Sequence, residues 1–114
     1  MSMRLSEDDG FQIMETAAIP THSVLINGLP DVGLVGLLAA SHIVDALRLE
    51  EVGSFESNRL PPMIILHGGV PKSPIRIFAR NSIVVVISET AIPGVLLRPL
   101  ASSLVNLARK RRLN

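Results

Sequence analysis

The chain has 114 residues, enough for one domain whose core must come from Ile, Val, Leu and Ala, because aromatic residues are 3% of it and Trp and Tyr do not occur. The formal charge of +1 leaves no global excess that would point to nucleic acid, an anionic membrane surface or strongly charged substrates. Absence of cysteine excludes disulfides, thiolate catalysis and thiolate metal sites, and the polar start "MSMRLSEDDG" lacks a signal segment, so a cytoplasmic protein is expected.

In chain order, "GFQIMETA" from Gly10 to Ala17 alternates Phe11 and Ile13 with polar residues, as a half-buried strand does. "SVLINGL" from Ser23 is a short continuous apolar run, the pattern of a strand covered on both faces. A helix is predicted from Val32 to Leu47, with Ser41, His42, Asp45 and Arg48 on one polar stripe and the rest packed deeply. Its apolar stretch from Val32 to Ala40 is nine residues, against about 20 needed to span a bilayer, so no membrane partner is expected.

"LEEVGSFES" and "MIILHGG" read as strands separated by "NRLPP", whose prolines exclude a helix. "PIRIFAR" and "SIVVVIS" flank a two-residue "NS" turn, which predicts a hairpin with Ile83 to Ile87 as a central strand covered on both faces. "TAIPGVLLRP" reads as a breaker-rich connection. From Leu100 to Arg112, the residues Leu100, Ala101, Leu104, Val105 and Ala108 recur at helical spacing. Strands alternating with helices, with continuous Val/Ile runs, predict an α/β sheet layered with helices, and the whole of residues 1–114 reads as a single α/β domain.

Few residues carry chemistry. The basic run Arg109, Lys110, Arg111, Arg112 closes a helix, where cations complement the macrodipole, and with no stacking aromatics nearby no nucleic-acid partner is expected. His22, His42 and His67 lack the spacing that puts ligands on one helix face, so neither a metal nor a cofactor is expected. His42 and Asp45, three apart on the helix, are spaced to pair. Glu89 follows "SIVVVIS", at the carboxyl end of a strand, where α/β folds present functional or interface groups.

The stretch "LINGLPDVGLVGLL" places Gly28, Pro30, Asp31, Gly33 and Gly36 between a strand and a helix. Gly28 and Gly33 have the offset of a Walker A loop, but Leu34 and Val35 stand where its lysine and hydroxyl would be. Pro30 breaks the first half of a dinucleotide fingerprint, and Asp31 would repel a phosphate. The structural account is a corner set by Pro30 and N-capped by Asp31, with Gly33 and Gly36 allowing close helix approach; an anion site is the alternative.

This glycine string, followed by "EEVGSFESNRLPP", "PIRIFAR", "SIVVVISETAIP" and an amphipathic helix, resembles the proteasome assembly chaperone family, of the second-chaperone type with archaeal and bacterial homologues. The matching blocks run from about Ser23 to Ala108. The resemblance implies a layered α/β/α domain with a mixed sheet, similar to nucleoside-phosphorylase folds and without enzymatic activity. It implies proteasome α-subunits as partners, with homo-oligomeric archaeal relatives that dock through C-terminal tails ending hydrophobic-tyrosine-any. This chain has no tyrosine and ends "RRLN", which lacks that motif, and it corresponds to about the first half of such domains, a partial or minimal version.

The apolar first helix and a mean hydropathy of +0.42 predict a homo-oligomer. Two functions follow: a non-catalytic scaffold or assembly chaperone, or a nucleotide- or nucleoside-binding enzyme of phosphorylase type. The second would use the Gly28–Gly36 turn for phosphate and Glu89 or His67 for its ligand.

Overall fold

The computed structural model describes residues 3–8 as backbone, and residues 10–30, 35–60 and 64–114 with side chains. Asp31 and Gly33, with the predicted N-cap, lie outside the described residues. Eight strands are present among them: β1 (Met3–Asp8), β2 (Phe11–Glu15), β3 (Val24–Gly28), β4 (Glu50–Glu56), β5 (Ile65–His67), β6 (Val70–Lys72), β7 (Ile75–Arg80) and β8 (Ile83–Ser88). The helices are α1 (Val35–Ala46) and α2 (Gly94–Arg111). Six strands form one mixed sheet in the order β1-β2-β4-β7-β8-β3, in which only β3 and β8 pair in parallel.

Alternation along β7 and β8 builds two cores from one sheet. Ile75, Ile77 and Ala79 with Val84 and Val86 face one side, where Phe11, Ile13 and Phe55 join Leu96, Leu100 and Leu107 of α2. Phe78 with Val85 and Ile87 faces the other, against Ala40 of α1. The result is the expected three-layer α/β/α arrangement, and Ile83 to Ile87 is the doubly covered strand its pattern predicted. Each fully buried Leu or Ile contributes about 1.5–3 kcal/mol over an exposed one, so the α2 face carries most of the stability.

Four expectations are corrected. First, β3 is a sheet edge rather than a strand covered on both faces, and Val24 is 49% exposed. Its outer side is met by Asn114, whose N–H donates to Ser23 O while Leu25 N–H donates to Asn114 O, both at 2.9 Å. Second, α1 does not pack deeply: it lies mainly over β3 and β8, so Ala40 is its one fully buried residue while Val35 and Leu38 stand 68% and 66% exposed. Arg48 closes it from the left-handed region, at φ 53°.

Third, "MIILHGG" supplies half of a separate hairpin, β5 and β6, turned by Gly68 and Gly69 at φ 58° and 81°, values that a two-residue primed turn requires. Fourth, α2 starts at Gly94, within the segment read as a connection, and its buried stripe is Leu96, Leu100, Ser103 and Leu107; Ala101 and Val105 are exposed. Pro93 caps it, and Pro99 is tolerated inside because burial of the adjacent Leu100 outweighs the missing Val95 carbonyl bond. Pro99→Ala restores that donor and is expected to raise stability by about 1–3 kcal/mol, read as a higher urea midpoint with unchanged slope.

Candidate site at the carboxyl ends of β3 and β8

The parallel neighbours β3 and β8 send the chain to opposite faces, β3 to α1 and β8 to α2. In open α/β sheets that divergence opens a crevice outside the carboxyl ends of the strands, and Glu89 stands in it, one residue past β8. Its backbone is fixed on both sides: Glu89 N–H donates to Pro74 O at 2.8 Å, and the Ser88 hydroxyl donates to Thr90 O at 2.7 Å.

The Glu89 carboxylate accepts from Arg76 Nη2, and it lies 2.9 Å and 3.1 Å from His67 Nε2. Arg76 arises from the middle of the sheet, its side chain 9% exposed and its guanidinium 5.1 Å from the Phe78 ring centre. It also donates from Nη1 to Glu51 at 3.2 Å, and Lys72 Nζ lies 3.5 Å from the same oxygen. His67 Nε2 is 3.1 Å from Arg76 Nη2 as well, so it either donates to Glu89 or accepts from Arg76, never both in one tautomer.

Two cavities meet at Glu89. One, of about 350 Å³, lies between α1 and the β5–β6 hairpin and is lined by Ser41, Asp45, His67, Arg76 and Glu89 over a floor of Val44, Phe78 and Ile87. The other, of about 430 Å³, is largely apolar, with Pro30 and Leu37 on one side and Ala91, Ile92 and Leu97 on the other. Among the described residues no three His, Asp or Glu side chains are grouped to hold a metal.

The residues singled out in the sequence separate here. Glu89 and His67, 22 positions apart, are brought together, while His42 and Asp45 form no hydrogen bond with each other. Pro30 lines the apolar cavity, and Gly36 sits in the first turn of α1. Gly28 is a packing position: a Cβ there would lie 2.4 Å from Ala40 Cβ and 3.1 Å from Val86 O. Arg76 was missed, although a charged residue between Ile75 and Ile77 on a strand with both faces covered demands a carboxylate partner.

A mixed sheet between one helix on each face, with a polar cluster and an apolar groove at the parallel strands' exit, defines a layered α/β/α domain. The chain belongs to the PAC2 family, whose model matches residues 25–113. Its structure is similar to that of Pyrococcus furiosus PbaA, described as an archaeal homolog of proteasome-assembly chaperone, at TM-score 0.81 and 28% identity over 90% of this chain and 43% of that one. In sequence it is 29% identical over 98 residues to the uncharacterized protein MJ0106 of Methanocaldococcus jannaschii, covering 85% of this chain and 41% of that protein. P. furiosus PbaB, described as an archaeal proteasome activator, shares the fold at TM-score 0.72 and 17% identity, over 91% of this chain and 48% of that one. The chain therefore spans less than half the length of these relatives. No described helix is long and apolar enough to cross a membrane.

Proposed function

We propose that the chain is a non-catalytic protein-binding scaffold of assembly-chaperone type, a single domain that self-associates and takes proteasome α-subunits as its partner. The observation that carries this reading is the apolar surface at the start of both helices. Val35 and Leu38 at the start of α1 and Val95 and Leu97 at the start of α2 stand 68%, 66%, 72% and 54% exposed, and Leu97 and Leu37 line the apolar cavity between the two helices. Exposed apolar side chains beside an apolar cavity are the kind of surface that contacts a partner. PbaA's description as a homolog of proteasome-assembly chaperone names the class of partner.

Native mass spectrometry at micromolar concentration, with and without recombinant α-subunits from the same cell, tests it. An oligomer and a complex are expected, and both should weaken at least tenfold in Leu38→Asp/Leu97→Asp, which leaves the buried core intact. A monomer that recovers no α-subunit overturns the reading.

The His67–Glu89 contact favours a second reading, a nucleotide- or nucleoside-binding enzyme of phosphorylase type. Its support would be a thermal shift of several degrees with a nucleoside, a nucleotide or inorganic phosphate. Against it stands the commitment of Glu89 to Arg76 and His67, which leaves its oxygens engaged by the protein.

A further inference from the structure

We propose that the uncovered flank of α2 is a docking surface for an acidic amphipathic helix of a partner protein. It shares only Leu97 with the apolar cavity, and it stands whether or not the chain self-associates or takes α-subunits.

Two apolar stripes run along α2. Leu96, Leu100, Ser103 and Leu107 are the buried one. The residue after each of them, Leu97, Ala101, Leu104 and Ala108, is apolar as well and lies about 100° further round the helix. Leu97 and Ala101 are exposed and Leu104 and Ala108 half-buried, so this second stripe borders the core without being covered by it. The helical spacing of Leu100, Ala101, Leu104, Val105 and Ala108 in the sequence therefore belongs to two faces, of which the core uses one.

Spacing fixes the kind of occupant. From Leu97 through Ala101 and Leu104 to Ala108 the steps are four, three and four, the rhythm of a seam between two helices. Leucine and alanine alternate along it, so large side chains and gaps follow one another, and the alanines let a second axis approach to about 8 Å. The stripe is about 16 Å long, which matches the contact face of a helix of ordinary length.

Charge fixes the partner's sign. The next position round the helix is the outer border of the stripe: Arg98, Ser102, Val105 and Arg109. Arg98 and Arg109 are exposed, and among the described residues their side chains make no hydrogen bond or ion pair, whereas Arg111 is held by Glu15 at 2.8 Å. No acidic residue occurs from Gly94 to Arg111. The macrodipole accounts for cations in the last turn but not for Arg98 near the start, the end that favours anions. That charge rules against a second copy of α2 as the occupant, because arginines would face arginines in either orientation with no carboxylate between them. A partner helix with leucine or alanine toward the stripe and glutamate along its margins meets both requirements.

The test uses the nitrogen-labelled chain and three peptides of about 20 residues, long enough to be helical alone. One carries leucine and alanine at a and d with glutamate at e and g, the second has lysine in place of the glutamate, and the third is the acidic peptide scrambled. Saturable amide shifts at Leu97, Ala101, Val105 and Ala108 are expected with the acidic peptide, and binding at least tenfold weaker with the other two. Arg98→Glu/Arg109→Glu should reverse the preference between the acidic and lysine peptides, and Val105→Asp should weaken the acidic one at least tenfold. The proposal is overturned if no α2 amide moves at hundreds of micromolar, if the scrambled peptide moves the same amides equally, or if the double variant does not reverse the preference. Binding to vesicles one-third phosphatidylserine that Val105→Asp abolishes, with no peptide binding, overturns it in favour of a membrane surface. Should the double variant fail to fold, the lysine and scrambled peptides decide, because they change charge and pattern on the ligand alone. All three substitutions leave Leu38 and Leu97 in place, so loss of peptide binding and loss of α-subunit binding are read separately.

Discussion

Gly28→Ala is expected to lower the stability of the chain by about 3 kcal/mol, the upper end of the range for overpacking a filled core. The added methyl would stand 2.4 Å from Ala40 Cβ, against about 3.5–4.0 Å for carbon atoms in favourable contact, so α1 would have to rise by more than 1 Å. Backbone on the other side stops β3 from yielding, because Val86 O is already 3.1 Å from the same position. The compensating change is Ala40→Gly, which costs about 1 kcal/mol of helix propensity alone but removes the atom in the way. In the double variant the two effects should fall short of their sum by about 1–2 kcal/mol, a coupling that urea unfolding followed by circular dichroism can resolve. Strict additivity would show that α1 does not rest on Gly28. A phosphate-cradle role for this glycine predicts no coupling to Ala40, so the cycle separates the two readings of the turn.

Glu89→Ala is expected to cost about 3 kcal/mol, because it strips one carboxylate from a guanidinium only 9% exposed and leaves Glu51 as its remaining partner. Glu89→Gln keeps an acceptor for Arg76 and should cost about half as much. Arg76→Met should be milder than Glu89→Ala: Glu89 and Glu51 are 27% and 28% exposed and can turn to water, while methionine fills much of the vacated space beside Phe78. The order Glu89→Ala, then Glu89→Gln, then Arg76→Met in falling loss of urea midpoint is the test. If Arg76→Met proves the most damaging, the cluster stabilises the fold through arginine packing rather than through charge pairing. The hairpin should report independently, since His67 loses its acceptor in Glu89→Ala and the amides of β5 and β6 would exchange faster.

Much of the fold was legible because it rests on local periodicity. Ile75, Ile77 and Ala79 alternate with Arg76 and Phe78, and that alternation alone assigns two groups of side chains to opposite faces of β7. "IVVVIS" announced a strand covered twice, and Asn81-Ser82 the hairpin before it, where Asn81 takes φ 56°. The start of α2 was hidden because proline and glycine are breakers inside a helix yet acceptable at its first turn, and the sequence shows Pro93 and Gly94 without saying which position they hold. The Gly68-Gly69 signal for a hairpin was present but lay in a run whose apolar residues, Ile64 and Leu66, read as core and stand 68% and 67% exposed.

The candidate site was half legible. Glu89 stood out by its place after a buried strand, and His67 was named with it only as an alternative ligand contact. Their meeting, with Arg76 between them and Glu51, needs three strands and the hairpin to be set side by side, which no local spacing records.

By itself the sequence determined the layered α/β class, the inner strands, the membership of residues 25–113 in the PAC2 family and the strand-to-helix corner at Gly28. Each of these depends on side-chain period or on the chemistry of adjacent residues. Only the tertiary structure decided what faces water and what meets across the chain. An apolar residue is buried only if another element lies over it, and α1, resting on a sheet edge two strands wide, has cover for one stripe. That shortage of cover turns Val35 and Leu38 from core into surface, and the same edge leaves Asp45 and Ser41 beside a cavity where the sequence showed only a polar stripe.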